Sequence, residues 1–184
     1  MNTTTAASAY DMSHRDEVEN VATFALLVDN EPGVLHRIVG LFAARGYNID
    51  SLTVAETDRA AHTSRITVVT RGTDQVLDQI EAQLSKVVAV RKVQDVSRDP
   101  NGLERELALV KVRGTGAERA EALRMADIFR ARVIDTTHES FVFEITGPSS
   151  KIDSFVDLMR PLGLVELSRT GVLSIERGVH ALAE

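Results

Sequence analysis

Cysteine is absent from this sequence, and so is tryptophan. Without a thiol there can be no disulfide, no Cys-ligated zinc, no iron–sulfur cluster and no thiol nucleophile. Aromatic residues make up only 4% of the chain, too few for the platforms on which proteins stack single-stranded bases. Positive charge is also short: 21 Lys and Arg stand against 27 Asp and Glu, a formal net charge of −6. That balance disfavours a broad phosphate-binding face, and with it nucleic acid as a partner. No run approaches the roughly 18 consecutive apolar residues of a membrane helix. The first twenty residues, "MNTTTAASAYDMSHRDEVEN", have neither a basic start nor an apolar stretch. They read as a disordered polar tail rather than a secretory signal. A cytoplasmic protein with no membrane partner is the expectation.

Recognisable catalytic constellations are missing as well. His14, His36, His62, His138 and His180 are scattered, with no HxH, HxxH or HExxH spacing, so no metal site is expected. There is no Gly-x-Ser-x-Gly, no Walker loop and no GxGxxG. "RGTGAE" (113–118) has two glycines before a helix but lacks the third, and reads as an ordinary strand-to-helix turn.

What is present is a core and a repeat. The hydrophobic fraction of 43% is that of a globular protein. Alternation and helical spacing predict strands over 22–28, 47–56, 64–70 and 86–96, with helices over about 32–45 and 74–84 between them. Leu35, Ile38, Val39 and Phe42 are expected on the inward face of the first helix, and Leu77, Ile80 and Leu84 on that of the second. After "SRDPNG" (97–102) the same order recurs: strands over 107–112, 133–137, 141–146, 164–169 and 172–175, with helices over about 117–130 and 149–160. Ala122, Met125, Ala126 and Phe129 should face inward on one, and Ile152, Phe155, Val156 and Met159 on the other. The fold class is therefore α+β, two ferredoxin-like βαββαβ modules, each an antiparallel sheet with its helices on one face. Residues 1–20 form the tail, 21–97 the first module, 98–103 a linker and 104–184 the second module.

One turn stands out. "DNEPG" (29–33) joins the first strand to the first helix, and two readings of it are open. It can be a plain helix start, with Asn30 as N-cap, Pro32 in the first turn and Gly33 for a close approach. It can also be a carboxylate seat. Gly33 leaves the amides of the first helical turn uncovered at the positive end of the helix dipole, and Asn30 can both donate and accept. Val34, Leu35 and Ile49 would then wall an apolar side chain. The dipole contributes about 0.3–1 kcal/mol when exposed and up to ~2 when partly buried. Burying an isopropyl-sized group adds roughly 1.5–3 kcal/mol. After immobilisation costs, a dissociation constant between about micromolar and millimolar follows, suited to sensing a metabolite.

"DNEPGVLHRIVGLFAARGYNIDSLTVAETD" (29–58) strongly resembles the N-terminal ACT domain of acetolactate synthase (acetohydroxyacid synthase) small subunits. "SRITVVTRG", "DIFR", "VIDTT" and "SRTGVLSIERG" follow in the family's order, so the resemblance runs from about residue 21 to 179. It implies a non-catalytic regulatory subunit that partners a large subunit carrying thiamine diphosphate, Mg²⁺ and FAD, and that carries no cofactor of its own. In that family the small subunit raises the activity that condenses pyruvate and confers feedback inhibition, usually by valine. Two ACT domains pair side by side in a homodimer or larger oligomer, with the branched-chain amino acid between them. The resemblance places Asn30, Gly33, Val34 and Leu35 around the effector from one chain, and Asn48 and Ile49 from the other. The sequence departs from the family pattern at Asp29 and Pro32, the latter removing one amide donor.

Two other classes fit the topology less well. An acylphosphatase-like hydrolase needs a cation beside its phosphate-seating amides, and the 29–33 turn holds no Lys or Arg. An RNA-recognition module needs aromatics on its central strands, and "SRITVVT" and "KVVAVRKV" have none. A free-standing ACT sensor serving another enzyme is the remaining alternative.

Overall fold

The computed structural model describes residues 19–179 and 181–182. The expected tail therefore lies outside the described residues up to position 18, as do His14 and His180. Asn20, expected at the end of the tail, already belongs to the first strand.

The first module runs β1 (Asn20–Asp29), α1 (Val34–Arg45), β2 (Ser51–Asp58), β3 (Thr63–Gly72), α2 (Asp74–Leu84) and β4 (Val90–Asp95). Its sheet has the order β2-β3-β1-β4, antiparallel throughout. The second runs β5 (Gly102–Arg113), α3 (Gly116–Phe129), β6 (Arg132–Thr136), β7 (Ser140–Gly147), α4 (Ser149–Met159) and β8 (Leu164–Arg169), with the equivalent order β6-β7-β5-β8. A ninth strand, β9 (Leu173–Glu176), pairs with the first residues of β5. The expected pair of βαββαβ modules is the fold.

Each module has its own core. Phe24, Leu26 and Val28 of β1 meet Ile38 and Phe42 of α1 and Leu77, Ile80 and Leu84 of α2. In the second module Val110, Phe143 and Ile145 pack on Ile152, Phe155 and Met159. There Phe143 and Phe155 stand edge to face, their centroids 6.0 Å apart, the arrangement that the ring quadrupoles favour. The inward faces expected for α2 and α4 are the buried ones. On α3, Ala122 and Ala126 are buried, while Met125 and Phe129 pack half-buried at the margin.

The first helix differs from expectation. Its buried residues are Val34, Ile38 and Phe42, whereas Leu35 is 41% and Val39 36% exposed. Two overlapping apolar arcs share Ile38 and Phe42, and spacing alone does not choose between them. Val34 follows the turn directly, next to the end of β1, and takes the inward place. Leu35 and Val39 are left on the outer flank.

Three strand boundaries also shift. β2 starts at Ser51 rather than Tyr47, because the chain leaving α1 first closes a turn from the Tyr47 amide to the Phe42 carbonyl (3.0 Å). β4 starts at Val90 rather than Lys86, since residues 85–89 unwind the end of α2. β5 starts at Gly102, inside the stretch expected as linker and five residues before Leu107, because Gly102–Arg105 forms a ladder with β9.

That early start has a structural purpose. β1 buries Ala22, Phe24, Leu26 and Val28 toward the helices, yet Thr23 and Ala25, which point the other way, are buried too. Residues 170–176 cross that second face of the sheet. The equivalent face of the second sheet carries the Lys111–Glu166 and Arg132–Glu144 ion pairs beside the half-buried Leu109 and Val142.

Candidate functional site

The turn from β1 to α1 is fixed by backbone bonds at its near end and left open at its far end. Asn30 N–H donates to the His62 carbonyl (2.8 Å) and Glu31 N–H to the Asp29 carbonyl (2.9 Å). Asp29 pairs with Arg91 of β4 (Nε–Oδ1 2.6 Å). Gly33, not Asn30, is the N-cap of α1, with φ +89° and ψ −6° and no side-chain cap. Asn30 instead donates from Nδ2 to Glu56 Oε1 of β2 (3.1 Å). The plain-cap reading therefore fails at Asn30.

Of the first-turn donors, Val34 N–H reaches the Glu31 carbonyl at a long 3.4 Å. The amides of Gly33, Leu35 and His36 meet no acceptor among the described residues. A Cβ built at Gly33 would have no atom within 4 Å, so the space beside Gly33 is open. Three uncovered donors at the positive end of a twelve-residue helix suit a carboxylate. Leu35 lies beside them with an exposed side chain. Val34 does not: at 3% exposure it belongs to the core, and its side chain cannot wall the turn as expected.

Asn48 and Ile49 sit at the other end of α1, about 18 Å away along a helix of this length. One chain therefore does not bring the two halves of the expected site together. Thr70 Oγ1 donates to the Asn48 carbonyl (2.6 Å), and the Asn48 carboxamide donates to Asp50 Oδ1 (2.6 Å). Arg71 Nε donates to the other oxygen of Asp50 (2.6 Å), and this bond with the Asp50 charge pushes the Arg71 pKa up. Asn48 and Ile49 face a groove of about 880 Å³ between the two modules.

The far wall of that groove is an ion network that sequence reasoning missed. Glu106, 5% exposed, accepts from Arg169 Nε and Nη2 (both 2.7 Å) and from Ser149 Oγ (3.1 Å). Burial alone would raise the Glu106 carboxyl, but the hydrogen bonds and charge of Arg169, with help from Ser149 and the Gly171 amide, hold it below the ordinary carboxylate range. Arg169 also reaches Asp153 (2.6 Å), and these bonds, those of Glu106 first, raise its pKa further. Nearby, Arg65 of β3 has no carboxylate partner among the described residues, and burial lowers its pKa. A signal for this junction did exist. Thr23, Ser51, Thr53 and Thr67 place small hydroxyls on a sheet face where an exposed surface would carry long charged side chains.

Among the described residues, no group of three or more His, Cys, Asp or Glu is placed to hold a metal ion. No helix is long and apolar enough to cross a membrane.

Residues 24–92 match a family described as the AHAS small subunit-like ACT domain, and residues 105–178 match the small subunit of acetolactate synthase. The chain is 44% identical over 156 residues to a probable acetolactate synthase small subunit of Archaeoglobus fulgidus, covering 85% of this chain and 96% of that one. It is 43% identical over 155 residues to the acetolactate synthase isozyme 3 small subunit of Escherichia coli, covering 84% and 94%. The crystal structure of the acetolactate synthase small subunit from Thermotoga maritima superposes with a TM-score of 0.77 at 37% identity, covering 88% of this chain and 99% of that one. With both of its modules matched by family models and two relatives 44% and 43% identical over most of its length, this chain belongs to the acetolactate synthase small-subunit family.

Proposed function

We propose that this chain is the regulatory subunit of a cytoplasmic acetolactate synthase. It docks on a separate catalytic subunit, raises its activity and makes it sensitive to a branched-chain amino acid, valine foremost, with leucine and isoleucine as alternatives. Thiamine diphosphate, Mg²⁺ and FAD belong to the catalytic partner in this reading. The observation that carries the effector site is the first turn of α1, where the amides of Gly33, Leu35 and His36 meet no acceptor among the described residues and the space beside Gly33 is open.

The effector carboxylate takes the amides of Gly33, Leu35 and His36, and its side chain lies on Leu35. Asn48 and Ile49 come from a second chain, because the two groups stand at opposite ends of one helix. The pairing surface is the open edge of β2, flanked by the exposed Leu35 and Val39 of α1. An unpaired edge strand offers a row of free main-chain groups to a second copy, and two apolar residues one helical turn apart extend that contact. An effector held between two chains changes how they pair only by its differential affinity for the paired states.

The test is reconstitution. Acetolactate formation by the matching catalytic subunit is measured with and without this chain, and then across titrations of valine, leucine and isoleucine. Activation followed by inhibition is the expected result. No activation and no response to any of the three would refute the proposal.

A further inference from the structure

The two modules meet at a short strap, residues 170–172 leading into β9, and the strap is held from both sides. From the first module, Ser51 Oγ accepts the Val172 N–H (3.1 Å). Thr53 Oγ1 donates toward the carbonyls of Val172 (3.2 Å) and Thr170 (3.4 Å). Arg65 Nη2 donates to the Ser174 carbonyl (2.7 Å). From the second module, the Thr170 N–H donates to the Leu107 carbonyl (3.0 Å), and Thr170 Oγ1 accepts the Leu107 N–H (3.2 Å).

Gly171 is the crossing point. Its φ is +82°, and a Cβ there would stand 2.4 Å from Ser51 Oγ and 3.0 Å from Thr53 Oγ1. No larger residue lets β2 approach the strap this closely. Asp50, Ile49 and Asn48 lead directly into β2. β2 is an edge strand, bonded on one side only to β3. The Asn48–Ile49 segment thus runs straight into Ser51 and Thr53, whose hydroxyls hold the main chain of residues 170–172.

We infer that Ser51 and Thr53, closed on Gly171, are positioning residues of the regulatory response: they transmit effector occupancy at Asn48–Ile49 to the C-terminal module. The inference rests on the effector site proposed above. Spatial adjacency alone does not establish coupling, so the test must separate binding from response.

Full-length Ser51→Ala/Thr53→Val is compared with wild type and with Thr53→Ser, each assembled with the catalytic subunit. Valine binding is followed by calorimetry, enzyme activity with and without valine by product formation, and amide exchange at Val172 by mass spectrometry. The double variant should bind valine within about threefold of wild type and activate normally. Its valine-dependent inhibition should weaken by about fivefold or more, the lower end of ordinary allosteric couplings, with faster exchange at Val172. Thr53→Ser keeps the hydroxyl and should behave as wild type. Full inhibition in the double variant despite faster exchange overturns the inference and leaves the effector site standing. A joint loss of binding, activation and thermal stability also overturns it, since that marks a purely structural role. If wild type itself binds no valine, the effector site fails, and the joint falls with it.

Discussion

Replacing Gly33 separates the backbone's requirement from the ligand's. At φ +89° an L-residue is strained, and the left-handed region costs roughly 1–2 kcal/mol for a side chain that gains nothing locally. No atom lies within 4 Å of the added carbon, so Gly33→Ala should lose about that amount in urea unfolding with no packing clash to add. Gly33→Asn is the informative partner. Asparagine tolerates the left-handed region better than other non-glycine residues, so part of the stability returns. Its carboxamide nevertheless stands where the effector carboxylate should sit. Each charge-assisted bond lost from a carboxylate is worth about 1.5–3 kcal/mol. Losing one weakens binding roughly 10- to 150-fold. Valine calorimetry on the pair should therefore show Gly33→Asn folding better than Gly33→Ala while binding far more weakly than wild type. Wild-type affinity in a well-folded Gly33→Asn would refute the seating of the ligand on these amides.

Three further outcomes are expected. Asn30→Ala and Asn48→Ala should each relieve valine inhibition while leaving activation of the catalytic subunit largely intact, as read from steady-state rates; loss of both properties together would assign these residues a folding role. The Glu106 carboxyl, held low by Arg169 and Ser149, contributes stability above its unfolded pKa, and that contribution is lost as pH falls through the lowered folded value. Urea midpoints of wild type and Glu106→Gln should therefore differ at about pH 7 and converge as the pH is taken below the ordinary carboxylate range. Phe143→Ala removes a fully buried ring packed between Phe141 and Phe155 and should cost about 3–5 kcal/mol, measured as a lowered denaturation midpoint.

Much of the fold was legible because local pattern and tertiary need agree in most elements. α2 offers one apolar stripe, Leu77, Ile80 and Leu84, and α4 another, so period alone settles which face is buried. α1 offers two stripes, and the choice between them depends on where the Gly33 turn delivers Val34. The open turn itself was readable from Gly33, which has no side chain to cover the amides of the first helical turn. Asn30 was misassigned as the cap because capping statistics favour Asn, while here Glu56, on a strand 26 positions away, takes its side chain. The module junction was signalled only by the small hydroxyls of Thr23, Ser51, Thr53 and Thr67, which mark a covered face without naming what covers it. Residues 172–175 read as an ordinary closing strand, and nothing local tells that their partners are Gly102–Arg105 on one edge and Ser51, Thr53 and Arg65 on the other.

The strap also sets a timetable for synthesis. All four strands of the N-terminal sheet have been made once the ribosome passes Asp95, and domains generally begin to fold in that order. The face holding Thr23, Ala25, Thr67 and Val69 must nevertheless wait for Val172 and Ser174, translated well after Asp95, before it is shielded from water. Throughout the intervening elongation the nascent first module carries a bare small-residue sheet face, and its maturation ends only when residues 170–176 fold back over it.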